Sequence, residues 1–416
     1  MDLSDHFFRR ESGPLVAALT RIFGVQNLAL CEDVAQDAFC RALAVWKVRG
    51  VPENPSAWLM ATAKNRALDV LRKRRTARTF APALRRALVH EGAIAPLVDA
   101  AFATHAVLDQ QLSMMFSCCA PQLPVEVQLA LILNILCGFA ASELASVLLT
   151  GRAAIEKRLA RGKKVLSESN ALFTLTHADF AARLATVQHA LYLLFSEGYH
   201  GACGEASVRV ELCHEAMRLT ALLREHAPAR TSSSAALAAL MCLHAARLPA
   251  RVDAAGELSA LVDQDRSRWD ARLIDEGLAL LELSATGHEL TAYHVESAIA
   301  AAHASARTLA DTDWATIVAL YDRLLELTSS PVVALNRAIA LAQLEGPERG
   351  LGLLYALPER ERLATYPFYP AALAELELRS GQRERARTHF CAALALARSG
   401  AERRFLEQRL GRCGDP

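Results

Sequence analysis

The stretch NPSAWLMATAKNRALDVLRKRR, Asn54 to Arg75, decides how the rest of the chain is read. Asn54, Pro55 and Ser56 supply helix-start chemistry: an Asn or Ser oxygen accepts an otherwise orphaned amide proton, and the fixed φ of proline suits a first turn. Helical spacing then places Met60, Ala63, Ala67, Val70 and Leu71 on one face, which predicts a core stripe. A second face carries Trp58, Thr62, Asn65, Asp69 and Arg72, and Lys73, Arg74, Arg75 and Arg78 follow directly. A ring, hydrogen-bonding groups and cations along one side of a helix can stack an unpaired base, bond its edge and grip the phosphates. The same residues have a plainer reading, in which a Trp at a helix start packs on its neighbours and cations at a helix end complement the dipole.

Upstream, Leu28 to Val48 reads as a helix that buries Ala35, Ala38, Phe39, Ala42 and Trp46 and turns Asp33, Gln36, Asp37 and Cys40 outward. Before it, Asp5 to Phe23 is a first helix with Phe8, Leu15, Leu19 and Ile22 on its core side. Arg49 to Glu53, with Gly50 and Pro52, is the loop that leads into the central helix.

Two linked blocks, CEDVAQDAFCRALAVW (Cys31 to Trp46) and WLMATAKNRALDVLRKRR (Trp58 to Arg75), resemble region 2 of the bacterial extracytoplasmic-function (ECF) sigma factors, promoter-recognition subunits of RNA polymerase. The resemblance implies that Asp33, Gln36 and Asp37 contact the core enzyme. It also implies that the loop before the central helix helps to capture a base flipped from the −10 element. Trp58, Thr62, Asn65, Arg66, Arg72, Lys73, Arg74 and Arg75 are then the −10 DNA contacts. Flipping a base costs a few kcal/mol of stacking and pairing, so a compensating ring is needed. Trp58 either provides it or packs in the three-helix core.

At 416 residues the chain has length for two or three domains. Alanine and leucine dominate, aromatics make up 6%, and strand-like alternation is scarce, which predicts an all-α protein. The net charge of +1 hides an asymmetry: Met1 to Asn170 holds 21 Lys+Arg against 15 Asp+Glu, and the remainder 25 against 30. Lys164 is the last lysine. A basic front suits nucleic acid, and a mildly acidic rear suits protein contact or masking of the front. Ten cysteines lie scattered without a CxxC pair, as expected of reduced, buried thiols in a cytoplasm. Neither a signal peptide nor a membrane span is expected, since the most apolar stretch, Val125 to Ala141, contains Glu126, Gln128 and Asn134.

Thr76 to Asp109 loses the helical pattern and reads as a linker, which in similar sigma factors threads towards the polymerase active site. Beyond it, Cys118 and Cys119 are adjacent, poor geometry for two ligands on one metal, and His105 is the nearest third donor. Similar sigma factors with long extensions have Cys-Cys-His-Pro where this chain has Cys-Cys-Ala-Pro, which removes an imidazole. No metal or cofactor is expected. Pro124 to Gly138, Ser142 to Leu149 and Arg152 to Ser167 then follow a helix-turn-helix layout, with Thr150-Gly151 as the turn. In the last helix Ile155, Leu159, Gly162 and Leu166 face inward. Ala154, Lys157, Arg158, Arg161 and Lys164 face outward, beside Arg152 at the start, a set suited to a major groove. Placed after a region 2 block, this segment resembles sigma region 4, which reads the −35 element. It departs from the family pattern in LLTGRAAIEKRLARGKKVL, which lacks the usual small-residue-Thr-Val start of the recognition helix.

The rear is a succession of Ala/Leu-rich helices. ALNRAIALAQLEGPERGLGLL (Ala334 to Leu354) aligns with YPAALAELELRSGQRERARTH (Tyr369 to His389) at an offset of 35, superposing Gly346 on Gly381. Helical pairs of that length resemble tetratricopeptide repeats, whose stacking forms a concave protein-binding surface. FSEGYHGACGE (Phe195 to Glu205) and PARVDAAGELSALVDQDRSRWD (Pro249 to Asp270) resemble blocks of an ECF subgroup with such an extension. The Asp263, Asp265, Arg266, Arg268, Trp269 cluster reads as mutually paired loop charges. Glu197, His200 and Glu205 lie among glycines without fixed ligand geometry.

The expected organisation is therefore a region 2 bundle (1–78), a linker (79–111), a region 4 helix-turn-helix (112–170) and a tetratricopeptide-like domain (171–416). The expected function is a sigma factor that binds core RNA polymerase and promoter DNA, with the rear regulating in cis and offering a surface to a protein partner. The alternative is a helix-turn-helix regulator whose repeats sense a partner. With no P-loop, nucleophile elbow or HExxH, enzymatic function is not expected.

Overall fold

The computed structural model describes residues 5–73, 94–148, 150–168, 175–200, 208–253 and 257–414. Their regular structure is helical, apart from an isolated bridge between Val252 and Leu258. Two compact units form: Met1–Leu194 with Glu225–Ala229, and Phe195–Arg224 with Arg230–Pro416.

The first unit holds α1 (Asp5–Phe23), α2 (Leu28–Arg49), α3 (Pro55–Lys73), α4 (Ile94–Ala101), α5 (Thr104–Cys118), α6 (Val125–Ile135), α7 (Ala141–Val147) and α8 (Arg152–Glu168). The boundary between the units falls inside α9 (His177–His200). Helix α1 is the axis, packing against α2, α3, α4, α5 and α6, with Leu15, Ala17, Ala18 and Leu19 wholly buried. At Gly13 the approach is closer than any side chain allows: a Cβ there would lie 2.3 Å from the carbonyl oxygen of Leu136. That single atom fixes how near α1 comes to the end of α6.

Within the stretch expected to be a linker (79–111), Ile94–Ala101 is a helix and Thr104–Cys118 begins another, while 79–93 lies outside the described residues. Val98, Ala101 and Val107 are buried, and Lys64 pairs with Asp99 at 2.5 Å. Small residues hid this segment: alanine carries high helix propensity yet contributes little to an apolar periodicity.

The second unit is built on α11 (Ser232–Ala245), buried at every position except Ser232 and His244. Around it lie α10 (Val210–Glu225), α12 (Leu248–Arg251), α13 (Ala271–Ser284) and α14 (Ala292–Ser305), with α13 and α14 packed directly on α11. The chain continues through α15 (Trp314–Thr328), α16 (Pro331–Glu345), α17 (Pro347–Tyr355), α18 (Phe368–Arg379), α19 (Arg383–Ala395) and α20 (Gly400–Gly411). Consecutive helices pack as hairpins. The turns at Gly346 (φ 102°) and Gly381 (φ 76°) both occupy the positive-φ region open to glycine, so the 35-residue offset is a real structural period. Leu335, Ala338, Leu351, Leu354, Leu373 and Leu376 make the shared core of these two hairpins.

Candidate nucleic-acid interface

Asn54 starts α3 as expected, its Oδ1 accepting the Ala57 amide at 3.0 Å. Ser56 instead donates to the buried carboxylate of Glu11 at 2.9 Å, tying α3 to α1. The core stripe of α3 is Leu59, Ala63, Ala67 and Leu71, each with 0% exposure. Met60 and Val70, expected in that stripe, are half-buried. The helix is rotated slightly because the larger aromatic contacts lie on the Trp58 side. Trp58 meets Trp46 edge-on at 5.2 Å, and Trp46 is in turn held by Phe7 at 5.9 Å and Phe8 at 6.3 Å. One face of Trp58 therefore belongs to the core, and its half-buried ring is anchored before any ligand arrives.

Next to it, Thr62 is half-buried and Asn65 and Arg66 are exposed. Arg72 and Lys73 continue α3, but their side chains, with Arg74 and Arg75, lie outside the described residues. On α2, Asp33, Gln36, Asp37 and Cys40 are all exposed, and Arg66 pairs with Asp37 at 2.8 Å. Gly50 (φ 80°) ends α2, donating its amide to the Trp46 carbonyl at 3.0 Å.

Helices α6, α7 and α8 have the helix-turn-helix order. Ile155, Leu159, Gly162 and Leu166 are buried, as the sequence spacing predicts. Gly162 sets the contact: a Cβ there would lie 2.8 Å from Leu131 Cδ1 and 2.9 Å from Val127 Cγ1. Outside, Lys157, Arg161 and Lys164 are exposed, whereas Ala154 and Arg158 are half-buried. Arg152 is exposed but engaged with Glu156 at 2.8 Å, and Lys164 lies 4.0 Å from Glu168.

Two long-range pairs that the sequence did not reveal join this segment to the first helices. Arg9 of α1 forms a two-pronged bond to Glu143 of α7, at 3.1 and 3.3 Å, and lies 5.4 Å over the Phe139 ring. Glu143 also accepts the Ala140 amide at 2.8 Å, so one carboxylate both caps α7 and docks it. Lys163 of α8 bonds Glu32 of α2 at 2.6 Å. Separations of more than a hundred residues leave no local spacing by which such pairs can be found.

Cys118 and Cys119 are buried thiols; burial pushes Cys119 up to about 12 and Cys118 well above its ordinary value. Among the described residues no group of His, Cys, Asp and Glu is placed to hold a metal ion, and no single helix is long and apolar enough to cross a membrane. In the second unit the expected pairing inside the Asp263–Trp269 cluster does not occur. Asp263 pairs with Arg409, Asp265 accepts the Ser267 amide at 3.0 Å, and Arg266 donates to the carbonyls of His303 and Ala306. The charges reach across to other helices because the extended backbone around Asp265 aims neighbouring side chains apart. Glu197 is buried with Arg209 at 3.7 Å, and Glu205 lies outside the described residues.

The α1–α3 block, with its exposed acidic face on α2 and its Trp46–Trp58 contact, falls within residues 7–77, which match the family described as Sigma-70 region 2. The chain thus carries the defining domain of the sigma-70 transcription-initiation factors. Residues 183–285 match a family of unknown function, DUF6596. Over 398 residues, 95% of this chain and 92% of the relative, it is 37% identical to an uncharacterized protein of Rhizobium meliloti (strain 1021). The chain belongs to one family with that protein.

Proposed function

We propose that this chain is an ECF-type sigma factor that binds core RNA polymerase and directs promoter-specific initiation. The observation behind this reading is the outward face of α2, where Asp33, Gln36 and Asp37 stand exposed on a region 2 fold beside Asn65 and Arg66 of α3. Acidic groups on a rigid helix give a basic partner surface orientation and on-rate. Trp58, Thr62, Asn65, Arg66, Arg72, Lys73, Arg74 and Arg75 take the −10 element. Arg152, Ala154, Lys157, Arg158, Arg161 and Lys164 take the −35 element, the exposed cations among them supplying phosphate contacts. The chemistry of RNA synthesis belongs to the polymerase.

Elements centred at −10 and −35 are about 25 base pairs apart, or roughly 85 Å along B-DNA. Helices α2 and α8, bonded through Glu32 and Lys163, cannot reach both at once. Promoter engagement therefore requires the Glu32–Lys163 and Arg9–Glu143 bonds to open. The tetratricopeptide-like second unit regulates this step in cis and offers its helical hairpins to a protein partner. Deleting 171–416 and finding promoter-directed transcription unchanged would remove that role.

The test is co-purification with core polymerase, followed by in vitro transcription from a genomic fragment library, with Asp33→Arg and Asp37→Arg beside the wild type. Core-dependent initiation that both variants lose supports the assignment and the docking face. Specific DNA binding without any affinity for core supports a helix-turn-helix regulator instead.

A further inference from the structure

Within the second unit, four helices and a loop converge on a cluster of half-buried cations around the buried rings of Tyr199 and Trp269. Arg247 lies 5.5 Å from the centre of the Trp269 ring and 6.0 Å from that of Tyr199. Arg251 lies 4.9 Å over Tyr199 and Arg266 lies 5.1 Å over Trp269, while the His244 ring sits 5.2 Å from Tyr199. Among the described residues no carboxylate forms an ion pair with Arg247, Arg251 or Arg266. Most nearby acids are engaged elsewhere, Asp263 with Arg409, Asp265 with Ser267 and Asp270 with the first amides of α13; Asp311 bonds Thr308, and its charge acts on Arg266 without an ion pair. The three side chains are half-buried and hydrogen-bonded, Arg247 to Gln264 at 3.2 Å, Arg251 to the Ser259 carbonyl at 3.4 Å and Arg266 to the His303 and Ala306 carbonyls, but neutral acceptors leave their charge unbalanced, which is costly.

A second observation points the same way. Tyr199 Oη, His244 Nδ1, Arg251 Nε, Trp269 Nε1 and His303 Nδ1 are all buried and have no hydrogen-bond partner among the described residues. Tyr199, Trp269 and His303 are only 4%, 7% and 8% exposed. Burial and the neighbouring arginines hold His303 down to about 4, and the same causes hold His244 well below its ordinary value. Both imidazoles are thus neutral near pH 7 and each keeps a ring N–H to donate. A cavity of about 320 Å³ lies on the Arg266–Trp269 side of the cluster, walled by those two residues with Ile274, Ser305 and Arg307, while Arg247, Arg251 and Tyr199 lie behind its wall. Its size matches the lower range of small-ligand sites.

We propose that this cluster is a binding site for a small oxyanion-bearing ligand, a phosphate or a carboxylate, admitted through the cavity beside Arg266 and Trp269. Arg247 and Arg251 supply the counter-charge, and the unpartnered Tyr199, Trp269 and histidine groups supply neutral hydrogen bonds. Five of these residues, Tyr199, His244, Arg247, Arg251 and Trp269, lie in the segment matching the family of unknown function, and Arg266 with them, so the proposal gives that segment a role as a ligand sensor. It stands independently of polymerase binding, and the two readings can fail separately.

The full chain is titrated with inorganic phosphate and, separately, with succinate, each against sodium chloride of equal ionic strength, following thermal unfolding and calorimetric heat. Saturable stabilisation by one of them is expected, and which one identifies the ligand chemistry. Arg247→Met is expected to unfold at a higher temperature than the wild type in anion-free buffer and to weaken binding at least tenfold. Tyr199→Phe, which keeps the ring, is expected to weaken it about fivefold. No saturable response to either anion, or an undiminished response in both variants, overturns the proposal.

Discussion

Arg66 Nε of α3 donates to Oδ2 of Asp37 on α2 at 2.9 Å, so the cation proposed to meet DNA and the carboxylate proposed to meet the polymerase are one ion pair. Both side chains are about half exposed, 44% and 53%, and an exposed pair of this kind contributes about 0.2–1 kcal/mol. Asp37→Asn should therefore cost less than about 1 kcal/mol in urea unfolding while lowering core-dependent transcription far more. A transcription loss no larger than the stability loss would mean that Asp37 only positions Arg66.

Glu143 should matter more than any exposed charge in the first unit. It holds Arg9 with two bonds and caps α7 through the Ala140 amide. Glu143→Ala removes a cap and leaves Arg9 partly buried beside Phe139, with an expected loss of about 2–3 kcal/mol. Glu143→Gln keeps the cap and should lose about 1 kcal/mol. Chemical denaturation of the full chain separates the two.

The Glu32–Lys163 bond, at 2.6 Å, bridges two modules that the proposed function requires to part. Glu32→Gln removes the charge and leaves Lys163 free for DNA. Affinity of the polymerase complex for promoter DNA should rise about two- to fivefold, in line with a pair about a third exposed on each side. The gain should shrink as salt is raised, because the wild-type bond is itself screened.

Two glycines in helices should respond oppositely to alanine. Gly162→Ala would place a methyl 2.8 Å from Leu131 Cδ1 inside a filled contact, and overpacking should outweigh the gain in helix propensity, for a net loss of about 1–2 kcal/mol. Gly352, in α17, has open space around it, and Gly352→Ala should stabilise by about 0.5–1 kcal/mol. Melting temperatures of the two variants should move in opposite directions.

His303 gives the second unit an acid limit. Its value in the folded chain is about 4, against 6.5 unfolded, so the unfolded chain takes up the proton first as pH falls. Stability from this group is complete above pH 6.5, declines from there to about pH 4, and amounts to roughly 3 kcal/mol at most. Urea midpoints in anion-free buffer should fall between pH 7 and 5, and less steeply in His303→Gln.

The fold class and the region 2 block were legible because their signals are local. The caps at Asn54, the spacing of Ala63, Ala67 and Leu71, and the inward set Ile155, Leu159, Gly162 and Leu166 all act within a few residues, where a 3.6-residue period fixes direction. Ile94–Ala101 escaped because its alanines blur that period. The charges of the Asp263–Trp269 loop were visible, but their partners were not, since Arg409 lies 146 positions from Asp263.

By itself, then, the sequence determined an all-helical chain, the start and facing of its main helices, the exposed acidic and basic residues, and the 35-residue period marked by Gly346 and Gly381. Tertiary structure alone decided that Trp58 is half committed to Trp46, that α8 is bonded to α2 through Lys163 and Glu32, and that Arg247, Arg251 and Arg266 gather around Tyr199 and Trp269 without an ion pair to any carboxylate among the described residues. The reason is the range of the interactions. Helix periodicity and capping act over one or two turns, whereas packing and charge pairing act through space between residues whose separation along the chain carries no pattern.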